Sequence, residues 1–285
     1  MASPVRLAGR GVFGGYGPGM ASVASVRAVL IDIDGVLTVS WRPLPGAVAA
    51  LRAIREAGLG VVLVTNTTSR TRASIAATLA DAGFPVSAEE ILTAPAATAA
   101  HLAGARCLLL NSGDVGEDLE GITLVEEGEE VEEEDAAPDV VLVGGAGPEF
   151  GYEALNRAFG CLQRGARLVA MHRNLYWRTD AGLQLDAGAF IAGLEAAAGT
   201  EAEITGKPAP AFFEAALGRL GVDAREALMI GDDVESDVLA AQRLGVTGVL
   251  VRTGKFLPDA LDRASGRPDH VLDSFADLPG LLEVG

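Results

Sequence analysis

Residues 26–38, VRAVLIDIDGVLT, decide how this chain is read. The run 26–33 is apolar and β-branched without polar alternation, the pattern of a strand buried on both faces. It ends in Asp32-Ile33-Asp34-Gly35, where two carboxylates and a glycine mark a turn at the strand's carboxyl end. Downstream, 46–57 (GAVAALRAIREA) carries apolar residues at helical spacing and stops at Gly58, a natural residue to follow a helix. A second buried strand is predicted over 59–65 (LGVVLVT). It is followed by the polar cluster Asn66-Thr67-Thr68-Ser69, residue types that cap helices, and by a helix over 70–82. Strand and helix in alternation, with continuously apolar strands, predict an α/β fold: a Rossmann-like parallel sheet covered on both faces.

The same rhythm returns late in the chain. A helix is expected at 210–220, a strand at 226–231 and a helix at 234–244. A strand at 247–252 follows, then a short strand-and-helix pair over 270–283. Between the halves, 106–111, 139–144 and 166–171 read as strands and 151–163 as a helix, an αβ unit inserted into the first domain. The expected division is a tail at 1–23, core at 24–97, an inserted cap at 98–200 with its crossings near 94–103 and Gly199, and core again at 201–285. The first 19 residues hold two arginines and six glycines without an apolar segment. They read as a loose tail, or as an extension ahead of a start at Met20, and not as a signal peptide.

Acidic residues number 39 against 22 basic, a net charge of −17. That balance argues against binding nucleic acid or an anionic membrane surface. Eight of the negative charges fall in 126–135 (EEGEEVEEED), which lacks the alternating ligands of a calcium loop and reads as a solvated segment. No apolar run reaches the roughly 18 residues that span a bilayer. The two cysteines, Cys107 and Cys161, form neither a C-x-x-C pair nor a metal cluster, which fits a reducing cytoplasm.

Four segments carry the chemistry, each at the carboxyl end of a predicted strand or the start of a helix, where α/β sheets present ligands. Asp32 and Asp34 would repel each other without a cation between them, and Mg²⁺ suits such a hard oxygen pair. A carboxylate is also a competent nucleophile toward phosphorus. Thr65 and Asn66 read as a phosphate cradle or as a plain helix cap. Lys207, in Gly206-Lys207-Pro208, reads as surface lysine when taken alone. In this series it supplies positive charge for a phosphoryl group. In GDDVESD, residues 231–237, Asp232 can complete a metal site, Asp237 can support it, and Asp233 can support it or cap the next helix.

The ordered series DxDGVLT, TN, GKP and GDDxxxD resembles the haloacid dehalogenase superfamily of phosphohydrolases. The single insertion between TN and GKP matches its subfamily IIA, which carries a C2-type αβ cap. The stretch GDDVESDVLAAQRLGVTGVLVRTGKF is similar to the branch containing the phospholysine phosphohistidine inorganic pyrophosphate phosphatases and their haloacid-dehalogenase-domain-containing-2 relatives. Those two relatives carry serine where this chain has Asp34, so the chain keeps the two-aspartate pattern of the wider superfamily. The resemblance spans roughly residues 24–283. It implies Asp32 as nucleophile and Asp34 as acid and base. Mg²⁺ would be held by Asp32, the Asp34 carbonyl and Asp232, with Asp237 in support. Thr65, Asn66 and Lys207 would bind the phosphoryl oxygens.

The implied activity is hydrolysis of a small phosphorylated metabolite. Transfer to another acceptor and a non-catalytic regulatory role on the same fold stand as alternatives. Dinucleotide binding is a third, on the incomplete GGAG at 144–147. Specificity falls to the cap, where His172, Arg173, Tyr176 and Arg178 gather basic and aromatic groups, read either as a leaving-group contact or as cap packing and surface. A homodimer through exposed cap strands is a further expectation.

Overall fold

The computed structural model describes residues 23–126, 129, 137–179 and 182–284, with the side chains of Trp177, Arg178 and Thr179 outside that description. The chain forms a six-stranded sheet in the spatial order His270–Leu272, Thr247–Val251, Ala227–Gly231, Ala28–Asp32, Gly60–Thr65, Ile91–Thr93. Every pairing is parallel. The central strand Ala28–Asp32 is buried throughout, as its unbroken apolar run requires. Val29 and Ile31 pack into one layer with Leu51 and Ile54 of helix Ala47–Glu56 and Ile75 and Leu79 of helix Arg72–Asp81. Leu30 faces the opposite layer, against Phe212, Phe213 and Ala216 of helix Pro210–Leu220. Full burial of each of the larger of these side chains contributes roughly 1.5–3 kcal/mol. This sandwich is therefore the main source of stability and a rigid mount for the loops.

Strands from the first half of the chain lie on one side of Ala28–Asp32 and strands from the second half on the other. The order thus reverses between Ala28–Asp32 and Ala227–Gly231, and the crevice at their carboxyl ends is where such a sheet binds ligands.

A second parallel sheet has the order Glu203–Ile204, Arg167–Ala170, Val140–Val143, Arg106–Leu110, Thr123–Leu124. Helices Tyr152–Gln163 and Ala187–Ala198 cover one face. Helix Ala94–His101 and the turn Gly116–Leu119 cover the other. An antiparallel hairpin, Tyr176–Thr179 with Gly182–Leu185, projects from it.

Several local readings change. The cap of helix Arg72–Asp81 is Thr71, whose hydroxyl accepts from the Ser74 N–H, and not the cluster 66–69. The expected helix over 234–244 opens as a π-helix, Val234–Leu239, before continuing as Ala240–Gln242. The short strands Thr38–Val39, Arg42–Pro43, Ile91–Thr93 and Thr123–Leu124 carry too little periodicity to be read from sequence.

Candidate active site

Asp32 is the last residue of the central strand, and Asp232 directly follows the neighbouring strand Ala227–Gly231. Their adjacency comes from the parallel register that pairs Ile31 with Ile230. Asp237 reaches the same place from the π-helix, a wide turn of the kind that recurs at functional sites. Gly231 is needed there: a side chain on it would come within 2.3 Å of the Asp237 Cβ. The Lys207 ammonium lies 2.6 Å from Asp32 Oδ1 and 2.7 Å from Asp237 Oδ1, and all three residues are buried. Asn66 holds the lysine's backbone at both ends. Its Nδ2 donates to the Lys207 carbonyl at 2.8 Å, and its Oδ1 accepts the Lys207 N–H at 2.9 Å. Residues 141 apart in sequence are thus locked by one amide. Thr65 Oγ1 accepts the Thr67 N–H at 3.0 Å, and Thr67 Oγ1 donates to Asp34 Oδ2 at 3.4 Å. The two threonines therefore link the second strand's end to the first-motif turn.

Burial dominates the electrostatics. It pushes Asp32 well above the usual carboxylate range; Lys207 opposes that, while Asp237 and Asp232 add to it. Asp34 is raised by burial against the opposing Lys255, Lys207 and the Thr67 hydroxyl. Asp232 is pushed up to about 7, first by burial and then by Asp237. Burial works against the Lys207 charge, but Asp237 and Asp32 outweigh it, so the lysine stays an ammonium far past neutrality.

A family model described as haloacid dehalogenase-like hydrolase matches residues 29–124, and a second, HAD-hydrolase-like, matches 204–278. The chain is 37% identical over 269 residues to the phospholysine phosphohistidine inorganic pyrophosphate phosphatase of Bos taurus, covering 91% of this chain and 95% of that one. The chain belongs to the haloacid dehalogenase-like hydrolase family. Solved structures agree. The 4-nitrophenylphosphatase of Thermotoga maritima has a TM-score of 0.81 at 26% identity, over 90% of this chain and 98% of that one. The glycerol phosphate phosphatase of Mycobacterium tuberculosis, solved in complex with magnesium, has a TM-score of 0.79 at 28% identity, over 91% and 78%. The Rossmann-like parallel core is thus that of the family's phosphatases.

The residues fit the family's Mg²⁺. Asp32, Asp232 and Asp237 each bring an oxygen within 4.8 Å of the others. Among the described residues Asp232 Oδ1 is buried without a hydrogen-bond partner, an orphan that a cation would satisfy. The donors are all oxygen, as a hard divalent ion prefers. Asp232 Oδ2 is cradled by Gly35 and Gly254, and a Cβ on either would come within 2.0 Å of it. Asp233 instead caps the π-helix, accepting from Glu235 N at 3.1 Å and Ser236 N at 2.9 Å. Its N–H also steadies Asp237 Oδ2 at 3.2 Å, so it supports the site from the backbone.

The cap residues divide. His172 is buried, its Nδ1 accepting the Asn174 N–H at 3.3 Å with Asp186 Oδ2 4.0 Å away. It directly follows Met171, whose carbonyl accepts the Gly206 N–H beside Lys207, so it lies near the site. Arg173 is ion-paired to Glu195 on helix Ala187–Ala198, and Tyr176 is exposed on the hairpin; neither meets the core motifs. The Arg178 backbone pairs with Leu183, and its side chain lies outside the described residues. The glycines 144–147 serve close packing: a Cβ on Gly144 would meet Asn111 Oδ1 at 1.9 Å, and one on Gly145 would meet Thr68 Oγ1 at 2.6 Å. Gly144 packs within the inserted unit and Gly145 sets it against Thr68 of the core, so both serve packing, which removes the reason for a dinucleotide reading. Of the acidic run, only Glu126 and Glu129 are described, and Glu129 pairs with Arg106 at 2.6 Å.

Sequence reasoning missed the loop 252–256. Thr253 Oγ1 donates to the Gly35 carbonyl at 2.5 Å, and the Lys255 N–H donates to Asp232 Oδ2 at 2.6 Å. The signal was available, because this loop leaves the carboxyl end of strand Thr247–Val251, the same edge that presents the other motifs.

Proposed function

We propose that the chain is an Mg²⁺-dependent phosphatase that hydrolyses a small phosphorylated metabolite, a phosphomonoester, phosphoamide or diphosphate, through an aspartyl-phosphate on Asp32. The observation that carries this reading is the buried cluster in which one ammonium holds Asp32 and Asp237 beside the unpartnered oxygen of Asp232. Asp32 attacks phosphorus and the bond to the leaving atom breaks. Asp34, whose raised pKa keeps a proton available, gives that proton to the leaving atom. A water then attacks the same phosphorus, the bond to Asp32 breaks, and Asp34 takes the water's proton. Lys207 fixes the line of attack and balances charge on the phosphoryl oxygens, with Thr65 and Asn66 shaping the rim. Mg²⁺, held by Asp32, the Asp34 carbonyl and Asp232 with Asp237 in support, would neutralise charge between nucleophile and phosphate.

The relatives' names, a phospholysine phosphohistidine inorganic pyrophosphate phosphatase, a 4-nitrophenylphosphatase and a glycerol phosphate phosphatase, support a small substrate. We also propose a core with an inserted cap. The two separate sheets support that division, with the return crossing just beyond Ile204. A homodimer through the cap hairpin is supported by exposed Leu175, Tyr176, Leu183 and Leu185. A cytoplasmic location is supported by two free, buried cysteines. Among the described residues no helix is long and apolar enough to cross a membrane.

The test is release of p-nitrophenol from p-nitrophenyl phosphate, with and without Mg²⁺. Turnover should require the metal and fall by at least about a thousandfold in Asp32→Asn. A wild type inactive across metals and pH, or an Asp32→Asn variant that keeps turning over, sinks the reading.

A further inference from the structure

We propose that Lys255 is a specificity-determining residue on the leaving-group side of the site, where its ammonium grips a negative charge carried by the leaving group itself. The inference rests on the phosphatase reading for which side of the scissile bond is which. Its physical basis is the contrast between two lysines.

Lys207 is buried at 5% exposure, and its ammonium is already committed to Asp32 and Asp237. A ligand could claim it fully only by breaking those pairs. Lys255 is exposed, and its ammonium makes no ion pair or hydrogen bond among the described residues. Its backbone, by contrast, is fixed. The Lys255 N–H bonds Asp232 Oδ2 at 2.6 Å, and Thr253 bonds the Gly35 carbonyl at 2.5 Å. Gly254, at φ +62°, packs so closely on Gly35 that a Cβ would come within 2.5 Å of its Cα. A free point charge thus stands on a root clamped to the metal cradle, and an ammonium offers three donors with no fixed plane to match.

The loop contacts locate this charge. The turn that carries Lys255 docks on Gly35, directly beside Asp34, through the Thr253 hydroxyl and the close approach of Gly254. The Lys207 ammonium instead sits 2.6 Å from Asp32 Oδ1. Lys255 therefore lies toward Asp34, and Lys207 toward the nucleophile. In the proposed chemistry Asp34 hands its proton to the departing atom, so Lys255 flanks what leaves and not what is transferred. A neutral alkyl or aryl group gives it nothing to bind. A leaving group bearing a phosphoryl or carboxylate charge next to the scissile bond gives it a charge-assisted partner.

The test compares inorganic pyrophosphate with p-nitrophenyl phosphate, whose leaving group carries no charged substituent, in wild type, Lys255→Met and Lys255→Arg at fixed free Mg²⁺. Lys255→Met should lower the ratio of kcat/KM values, pyrophosphate over p-nitrophenyl phosphate, at least about tenfold. That is about 1.4 kcal/mol of discrimination. The loss should sit mainly in KM for pyrophosphate, and Lys255→Arg should restore most of it. Equal losses on both substrates overturn the proposal, since Lys255 would then serve only the shared machinery. A binding measurement keeps the two readings apart. Lys255→Met should weaken methylenediphosphonate about tenfold more than methylphosphonate by calorimetry. If the wild type turns over neither substrate, the phosphatase reading fails, and this calorimetric ratio alone decides for or against Lys255.

Discussion

Asp232 makes the stability of the metal-free protein depend on pH in a direction opposite to most carboxylates. In the folded chain it holds its proton to about pH 7, against 3.8 for an unperturbed aspartate, because burial and the nearby Asp237 disfavour its charge. Between those values the folded state binds more protons than the unfolded state. The associated stability is therefore complete below pH 3.8 and is lost as pH rises through 7. From about pH 5 to about pH 8 the group crosses roughly two units below its folded pKa. At about 1.36 kcal/mol per unit, that is about 2.7 kcal/mol. In a chain of this size it corresponds to about 5 °C in Tm. Mg²⁺ favours the ionised carboxylate, so it flattens this slope and stabilises the protein more at pH 8 than at pH 5. Thermal melts in EDTA and in Mg²⁺ across that range, on wild type and Asp232→Asn, read the effect. Asp32 and Asp34 are also raised and push the same way, so the contribution of Asp232 is what the asparagine variant removes. Parallel Tm losses in wild type and variant without metal would refute the reasoning.

Gly254→Ala places a Cβ within 2.0 Å of Asp232 Oδ2 at a φ of +62°. Mg²⁺ affinity should fall about 10- to 100-fold, and an unchanged metal titration of activity would show that the loop is not the cradle's wall. Asp118 is buried and accepts from Arg72 N and Nε, both at 2.9 Å, and from Thr93 Oγ1 at 3.2 Å, tying the inserted unit to the core. Asp118→Ala should cost about 3–5 kcal/mol, with amide exchange rising in Gly116–Leu119 and at the start of helix Arg72–Asp81; unchanged exchange there would remove it as a latch. Cys107 and Cys161 are both buried, and burial raises both thiols, Cys107 to about 11. Neither should react with a thiol reagent near pH 8 until the chain is unfolded, and fast native labelling would contradict the packing.

The parts of the fold legible in the sequence are those where one physical demand acts alone. A strand covered on both faces must be apolar throughout, so 26–33 and 226–231 announce Ala28–Asp32 and Ala227–Gly231. Short edge strands such as Ile91–Thr93 and Glu203–Ile204 bury too few residues to leave a period. Carboxylates at strand ends stand out for the same reason that apolar strands do, since nothing local requires Asp32 or Asp232 there. Asn66 and Asp233 were ambiguous because a side chain that caps a helix and one that locks a distant backbone are chemically the same. Asn66 proved to hold Lys207, and Asp233 to cap. Arg173 shows the converse: a basic residue beside a site is claimed by whichever acid is nearer, here Glu195. Lys255 was passed over, although it lies in the stretch that carries the resemblance, because its meaning comes from a backbone contact to a residue 23 positions away.

That lysine also resolves how a chain of net charge −17 can receive an anion. The field that matters is set by Asp32, Asp34, Asp232 and Asp237 against Lys207 and Lys255, four carboxylates facing two ammonium groups. Fully ionised, they leave a local excess of two negative charges, which one divalent cation cancels. A phosphate dianion approaching without metal meets repulsion on a site already low in dielectric, which is otherwise relieved only in part, by protonation of Asp232, Asp34 or Asp32, each raised by burial. In the proposed chemistry the cation is therefore the favourable first ligand. The buried lysine does not replace it, because that one charge is shared with two carboxylates 2.6 and 2.7 Å away before any phosphoryl oxygen arrives. The exposed lysine can meet the anion only on the side where Asp34 stands. Acidity across the rest of the surface does not enter this balance, since beyond about 8 Å in physiological salt exposed charges are largely screened.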